Sequence, residues 1–391
     1  MGQRRILQVT AALAISTLAL AACGDDGDGG GGGGEKKTYT IAYMGPLSGA
    51  DSALGINEVN GVELAIDEAN AKGDLPFTLK LDKTFDDQGA EAQGQPVSQR
   101  VVDQPAIVAV VGPAFSGVTK AAGQTFSDAN LLFLSPSASR TNLTTLGFKT
   151  FGRLVAPDSA QGPEGANYIA KGLKAKKVYI ISDKSEYGQG LADEAEASLK
   201  TAGVTVVEEG VPAKTTNYRP IVAKIKTFAA DVVYYAGYYS DAALFVKQLR
   251  ADGVTAKFVS GDGTNDDQFI KGAGAAANGA FLTCGCGDPS TDPNAAGFVS
   301  AYTAKYGSAP GAYSAEGYDA ANAIIAAMKG LGDDAGDRAK VADAVLKGSY
   351  KGLTKEVKFD DKGEVATRTI FVYEVKQGKR VVIGTTVELA K

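Results

Sequence analysis

Val178-Tyr-Ile-Ile-Ser-Asp-Lys-Ser-Glu-Tyr-Gly188 passes from an apolar, β-branched run straight into a polar turn that carries serine and glycine. The first four residues read as a buried strand. The same passage recurs at Ile107–Val111 into Gly112-Pro-Ala-Phe-Ser-Gly117 and at residues 131–134 into Ser135-Pro-Ser-Ala-Ser139. It recurs again at residues 232–235 into Gly237-Tyr-Tyr-Ser-Asp241 and at 257–259 into Gly261-Asp-Gly-Thr264. Residues 40–44 and 204–207 read as further strands, and Phe77, Leu79 and Leu81 alternate with Thr78, Lys80 and Asp82 as in a strand with one wetter face. Residues 58–71 suit a helix with Val62, Ala65, Ile66 and Ala69 on one face and Gly73 past its end. Short strands between helix-length segments predict an α/β fold with parallel sheets. The doubly wound pattern occurs twice, one unit ending near residue 157 and the other beginning there, which predicts two lobes.

In open parallel sheets ligands bind outside the carboxyl ends of the strands, where helix N-termini offer free N–H groups. Ser116 and Ser139 are placed there to donate to an anion, although either also reads as a plain N-cap serine. Asp262, between two glycines, reads equally as a turn aspartate, and Tyr187 and Tyr238 as packing aromatics.

The 391 residues suit two or three domains, and 44% hydrophobic with 22% charged is ordinary for a globular protein. Histidine is absent from the sequence, which removes Ser-His-Asp and Cys-His nucleophilic chemistry and the commonest zinc ligand. The acidic candidates Asp183, Glu186 and Asp262 show no paired spacing, so an enzyme is not expected. No cofactor and no metal site is expected either.

The first residues read as an export leader: Arg4 and Arg5, an apolar run from 6 to 22, then Leu20-Ala21-Ala22-Cys23. Residues 1–22 are expected to be removed, and 23–37 to hold the anchoring Cys23 and a Gly/Asp spacer. Acyl chains contribute ~0.8 kcal/mol per buried CH2, so two or three on Cys23 would anchor the protein. Residues 24–34 then act as a flexible tether reaching roughly 20 Å. Without residues 1–22, Lys+Arg falls from 40 to 38 against 45 Asp+Glu, a net charge of −7. Nucleic acid is therefore not an expected partner. In an exported chain, Cys284-Gly-Cys286 reads as a small local disulfide. As a zinc site, two thiolates lack two ligands.

Five stretches at matching separations resemble the leucine/isoleucine/valine-binding proteins, the type I periplasmic amino-acid receptors of ABC importers. They are Gly45-Pro-Leu-Ser48, Asn60-Gly-Val-Glu-Leu-Ala-Ile66, Ser135-Pro-Ser-Ala-Ser139, Asp183-Lys-Ser-Glu-Tyr-Gly-Gln-Gly-Leu-Ala192 and Val233-Tyr-Tyr-Ala-Gly-Tyr-Tyr239. The resemblance spans essentially all of the mature body, and Leu-Ala-Ala-Cys23 resembles the bacterial lipobox. It implies two lobes, 38–157 plus 288–354 and 158–287 plus 355–391, joined by three hinge crossovers. It further implies that Ser116 and Ser139 grip an α-carboxylate, and that the Ser137-Ala138-Ser139 backbone, through the Ser137 carbonyl, accepts from an ammonium. Asp262 would be the acidic ammonium partner, where the leucine-type receptors have Glu. Tyr187, Tyr238 and Tyr313 would line the pocket, and a ligand-covering aromatic of the family would fall near Leu54. The family's disulfide beside the first serine is missing, with Phe115 in that neighbourhood.

The expected role is capture of an amino acid, branched-chain or related, by a monomeric lipoprotein outside the cell membrane that delivers it to ABC permease subunits. A ligand-sensing receptor of the same fold, or a binder of a small amide, urea or aromatic acid, would share these residues.

Overall fold

Burial on both faces explains the unbroken apolar run Ile41-Ala-Tyr-Met44. In the computed structural model, which describes residues 36–391, Ile41 and Tyr43 join one apolar cluster and Ala42 and Met44 another. A parallel strand with helices on either side has no wet face, so strict alternation disappears. The leader at 1–22, Cys23 and the spacer at 24–34 lie outside the described residues.

The chain runs β1 (Thr38–Gly45), α1 (Ser52–Lys72), β2 (Thr78–Asp86), α2 (Glu91–Val102), β3 (Ile107–Val111), α3 (Ser116–Asp128), β4 (Leu132–Ser135) and β5 (Phe151–Arg153). Their strands form a parallel sheet in the order β2-β1-β3-β4-β5. A second set follows: α4 (Asp158–Asn167), β6 (Lys177–Ser182), α5 (Glu186–Thr201), β7 (Thr205–Gly210), α6 (Arg219–Phe228), β8 (Val232–Ala236), α7 (Tyr239–Ala251), β9 (Lys257–Ser260), α8 (Asp267–Ala273) and β10 (Phe281–Cys284). Its order, β7-β6-β8-β9-β10, repeats that of the first sheet. Each sheet therefore has a switch point, between β1 and β3 and between β6 and β8, where successive connections leave in opposite directions and open a crevice.

The chain then returns to the first sheet with α9 (Ala296–Tyr306), α10 (Ser314–Leu331), α11 (Arg338–Lys347) and the hairpin β11 (Ser349–Lys351) and β12 (Glu356–Lys358). It ends in the second with β13 (Phe371–Lys376), β14 (Lys379–Thr385) and α12 (Thr386–Leu389). Helices α1 and α10 meet at backbone distance. A Cβ on Gly61 would stand 2.1 Å from the Ser314 carbonyl oxygen, and one on Gly317 2.4 Å from that of Glu58.

Three details depart from the sequence reading. Helix α1 starts at Ser52 rather than 58, because Gly55 lets the helix pass the Pro46 carbonyl. The second sheet is not wholly parallel: β13 and β14 pair antiparallel through the two-residue turn Gln377-Gly378, both at positive φ. Residues 356–365 stay with the first sheet, so the third crossing runs through 366–370 instead of beginning at 354. The reason is charge: Glu364 pairs with the fully buried Arg153, its Oε2 accepting from Nε at 2.9 Å, and a buried guanidinium left alone is strongly unfavourable.

The first and second crossings meet at one point. Lys355 Nζ donates to Glu316 Oε1 at 2.8 Å and to the Leu154 carbonyl at 3.0 Å, while the Gly287 N–H donates to the same Glu316 oxygen at 3.4 Å. Beside them Cys284 and Cys286 are bonded to each other, with Cα atoms 5.1 Å apart.

Candidate ligand-binding site

The turn after β3 is shaped by Gly112, at φ +114°, where a Cβ would stand 2.0 Å from the Met44 carbonyl oxygen. Beyond it the Pro113 carbonyl accepts from Ser135 Oγ at 2.6 Å and from Thr119 Oγ1 at 3.1 Å, tying the β3 and β4 turns together. Ser116 is thereby delivered as the first residue of α3. The N-cap position itself belongs to Phe115, in extended conformation with no capping side chain. The plain N-cap reading of Ser116 thus fails, and the first-turn N–H groups of α3 have no partner within the helix. Ser116 Oγ accepts from the Arg140 N–H at 3.2 Å, which leaves its own proton to donate.

Across from it, Asp262 is buried and its carboxylate collects three hydrogen bonds. Oδ1 accepts from Tyr187 Oη at 2.6 Å and Gln161 Nε2 at 2.8 Å, and Oδ2 accepts from Tyr313 Oη at 2.5 Å. The flanking glycines have a steric cause: a Cβ on Gly261 would stand 2.6 Å from the Tyr187 hydroxyl, and one on Gly263 2.8 Å from its ring. Tyr313 comes from the first lobe, just ahead of α10, with φ at +66°, a conformation in which a bulky side chain is uncommon.

These residues surround a narrow cavity lined by Leu54, Ala114, Phe115, Ser116, Ser137, Tyr187, Tyr238, Asp262, Gly263 and Tyr313. Both switch points contribute, Leu54 and Ser116 at the first and Tyr187 and Tyr238 at the second. Phe115 and Tyr238 stack across the gap with ring centroids 4.2 Å apart, and Tyr238 leans on Tyr187 at 5.2 Å. Six predicted positions, Ser116, Ser137, Tyr187, Tyr238, Asp262 and Tyr313, meet on this wall.

Ala138 and Ser139 are not on it. The Ala138 N–H donates to Ser135 Oγ at 2.9 Å and its carbonyl accepts from Arg153 Nη1 at 3.2 Å, so its backbone is used internally. Ser139 is fully buried beside the crossing, its carbonyl accepting from the Asp158 N–H at 2.8 Å and its Oγ without a protein partner. Asp158 is fully buried as well, with neither carboxyl oxygen hydrogen-bonded. Burial, reinforced by the negative charge of Asp262, pushes its carboxyl up to about 8.

Gln161, Phe115 and Asp158 were not foreseen. Phe115 lies inside a turn singled out in the sequence. Gln161 and Asp158 meet Asp262 only because the first crossing brings α4 to the cleft. At the rim the lobes touch again: Asp51 Oδ1 accepts from the Ser240 N–H at the start of α7 at 3.0 Å, and Tyr239 Oη accepts from the Ala53 N–H at 3.2 Å. Burial pushes the Asp51 carboxyl up to about 6, against the pull of the Ser240 N–H.

Two lobes of identical strand order with a small polar cavity between their switch points match a family model described as periplasmic binding protein over residues 38–380. The chain belongs to the periplasmic binding protein family. Among relatives of this family, an amino acid binding protein of Pseudomonas aeruginosa is 33% identical over 338 residues, covering 85% of this chain and 89% of the relative. The leucine-, isoleucine-, valine-, threonine- and alanine-binding protein of the same species is 28% identical, with 95% and 96% covered. The branched-chain amino acid transporter substrate-binding protein LivJ of Streptococcus pneumoniae, solved with isoleucine, is similar to this periplasmic binding protein chain with a TM-score of 0.82 and 30% identity, covering 89% of this chain and all of that one.

Proposed function

We propose that the protein binds a zwitterionic amino acid, branched-chain or similarly small, between its lobes and hands it to an ABC importer, without chemistry of its own. The observation that carries this reading is the Asp262 carboxylate, held by hydroxyls of both lobes on one wall of a cavity whose other wall is the open N-terminus of α3 with Ser116. One end suits an ammonium and the other a carboxylate.

Ser137 offers its carbonyl near the α3 end, while Tyr187, Tyr238 and Tyr313 surround the ammonium side. Leu54 and the Phe115–Tyr238 stack bound the space left for a side chain. Asp262 is one methylene shorter than the glutamate of leucine-type receptors, and Tyr187, Gln161 and Tyr313 offset this by fixing it at the cavity wall. Charge-assisted hydrogen bonds in such a closed cleft contribute about 1.5–3 kcal/mol each. Since the ligand joins groups from both lobes, its binding draws the lobes together. The relatives that bind Leu, Ile, Val, Thr and Ala, and the likeness to the isoleucine complex, support the ligand class. Attachment through an acylated Cys23 and the spacer at 24–34 completes the proposal, keeping a monomer at the outer face of the membrane near its permease.

Calorimetric titration with a panel of amino acids tests this. Aliphatic amino acids should bind, and Asp262→Ala should weaken them by roughly 100-fold, about the worth of one lost charge-assisted contact and an unpaired ammonium. Unchanged affinity in that variant would overturn the assignment.

A further inference from the structure

Glu58 lies inside α1, beneath the cavity wall, with no exposed surface. Among the described residues it has no ion-pair partner; its two oxygen contacts and a third made by Ser137 form a chain. Tyr43 Oη lies 3.0 Å from Glu58 Oε2, Ser137 Oγ lies 2.6 Å from Glu58 Oε1, and the same Ser137 Oγ lies 2.7 Å from the Ala114 carbonyl oxygen.

Each of these oxygen–oxygen contacts needs one proton. Tyr43 and Ser137 supply one each, and a carbonyl supplies none. With an ionised Glu58 there are two protons for three contacts, and either the Glu58–Ser137 or the Ser137–Ala114 pair would face lone pair to lone pair at under 3 Å. With a protonated Glu58 the count closes. The Glu58 O–H donates to Ser137 Oγ, the Ser137 O–H donates to the Ala114 carbonyl, and Tyr43 donates to the remaining Glu58 oxygen.

We propose that Glu58 is carried as a neutral carboxylic acid and is a positioning residue for the ligand site: its proton turns the Ser137 hydroxyl onto Ala114, clamping together the β3 and β4 turns that form the first-lobe wall. Ala114 and Ser137 both line the cavity, and Ser116 follows Ala114 by two residues. The charged surroundings agree with the proton count. Asp87, beyond β2, and Glu316, on α10, face Glu58 with like charge, Glu316 being partly neutralised by Lys355; Tyr43 and Tyr313 are its neighbouring phenols. Burial, reinforced by these acids against the pull of Ser137 and Tyr43, pushes the Glu58 carboxyl up to about 8.

Glutamine reproduces the neutral acid, with a donor toward Ser137 and an acceptor toward Tyr43, and does not titrate. The test compares the wild type, Glu58→Gln and Glu58→Ala by thermal unfolding across pH, and by calorimetric titration with L-isoleucine. A group with its folded pKa raised stabilises the fold fully at low pH and loses that contribution as pH rises through the folded value. The wild-type midpoint should therefore drop relative to Glu58→Gln between about 4.5 and about 8 and run parallel to it outside that window. Asp87, Glu316 and the tyrosines are common to both proteins and cancel in the difference.

At neutral pH Glu58→Gln should bind L-isoleucine as the wild type does, and Glu58→Ala roughly tenfold more weakly, about one hydrogen bond's worth. Above the folded pKa the wild type should lose affinity and Glu58→Gln should keep it. A pH-independent difference between the two midpoints, or a Glu58→Gln as weak as Glu58→Ala, would overturn the proposal. The affinity arm rests on the amino-acid reading of the cavity. Should the wild type fail to bind L-isoleucine, that reading falls, while the unfolding arm still decides the protonation of Glu58.

Discussion

Three buried carboxyls lie within the reach of one small cavity, and each is stabilised differently. Asp262 is satisfied by three hydrogen-bond donors, Glu58 by sharing protons with two hydroxyls, and Asp158 by neither. Asp158 is therefore the one of the three that the fold leaves without a hydrogen-bond partner. Its pKa is raised, from 3.8 to about 8, so its contribution is favourable at low pH and lost as pH rises through that window. Asp158→Asn should leave stability nearly unchanged at low pH and raise it by about 1–3 kcal/mol in mild alkali, the usual penalty of a buried polar group without a partner. Urea unfolding of both proteins at several pH values reads this; equal pH profiles would show that Asp158 has a partner in solution. At this scale the sequence pattern marks Asp262 and Ser116, because both sit in turns at strand ends. It does not mark Asp158, whose isolation depends on a crossing segment with no local signature.

At the scale of elements, strand and turn positions follow the apolar runs closely, since a sheet buried on both faces demands uninterrupted apolar residues. Helix α1 is the instructive miss. Its first turn, Ser52-Ala-Leu-Gly55, has the composition of a loop, and it is helical because Gly55 clears Pro46 and Ala53 and Asp51 find partners on α7. Tertiary contacts supply what local propensity lacks. The Asp51 carboxylate thus serves an N-terminus that belongs to the other lobe, and only when the lobes meet. Burying its charge opposes closure, as its pKa, raised to about 6, indicates. On the proposed closure of the lobes, Asp51 should take up protons and ligand affinity should rise as pH falls through about 6. Asp51→Asn keeps an acceptor for Ser240 with no charge to bury. It should bind several-fold tighter than the wild type near neutrality, an advantage of about 1 kcal/mol, and lose that lead in mild acid. Titrations at paired pH values decide it, and a lead that does not change with pH would exclude the charge as its cause.

For the whole molecule, two copies of one strand order set face to face were legible as a repeated doubly wound pattern, whereas the antiparallel β13–β14 ending was not. That ending is decided by a two-residue turn, Gln377-Gly378, too short to show as a change of period. The tether is a whole-molecule matter as well. Cys23→Ala should release the protein from washed membranes while leaving calorimetric affinity for amino acids unchanged; a variant that stays with the membrane pellet would show that something other than acylation holds it there.

The meeting of the first and second crossings at Glu316, Lys355, Leu154 and Gly287 has a mechanical consequence. Segments fastened at one buried point form a fulcrum, and displacement about a fulcrum grows with distance from it. A ligand that fills the cavity slightly more or slightly less changes the angle between the lobes by little. At the outer rim, where Lys120 meets Glu186 at 3.0 Å, the same angle becomes a gap that either permits or forbids contact. On the proposed amino-acid reading, the protein would act as a gauge that converts the fit of one small side chain into the spacing of two large surfaces.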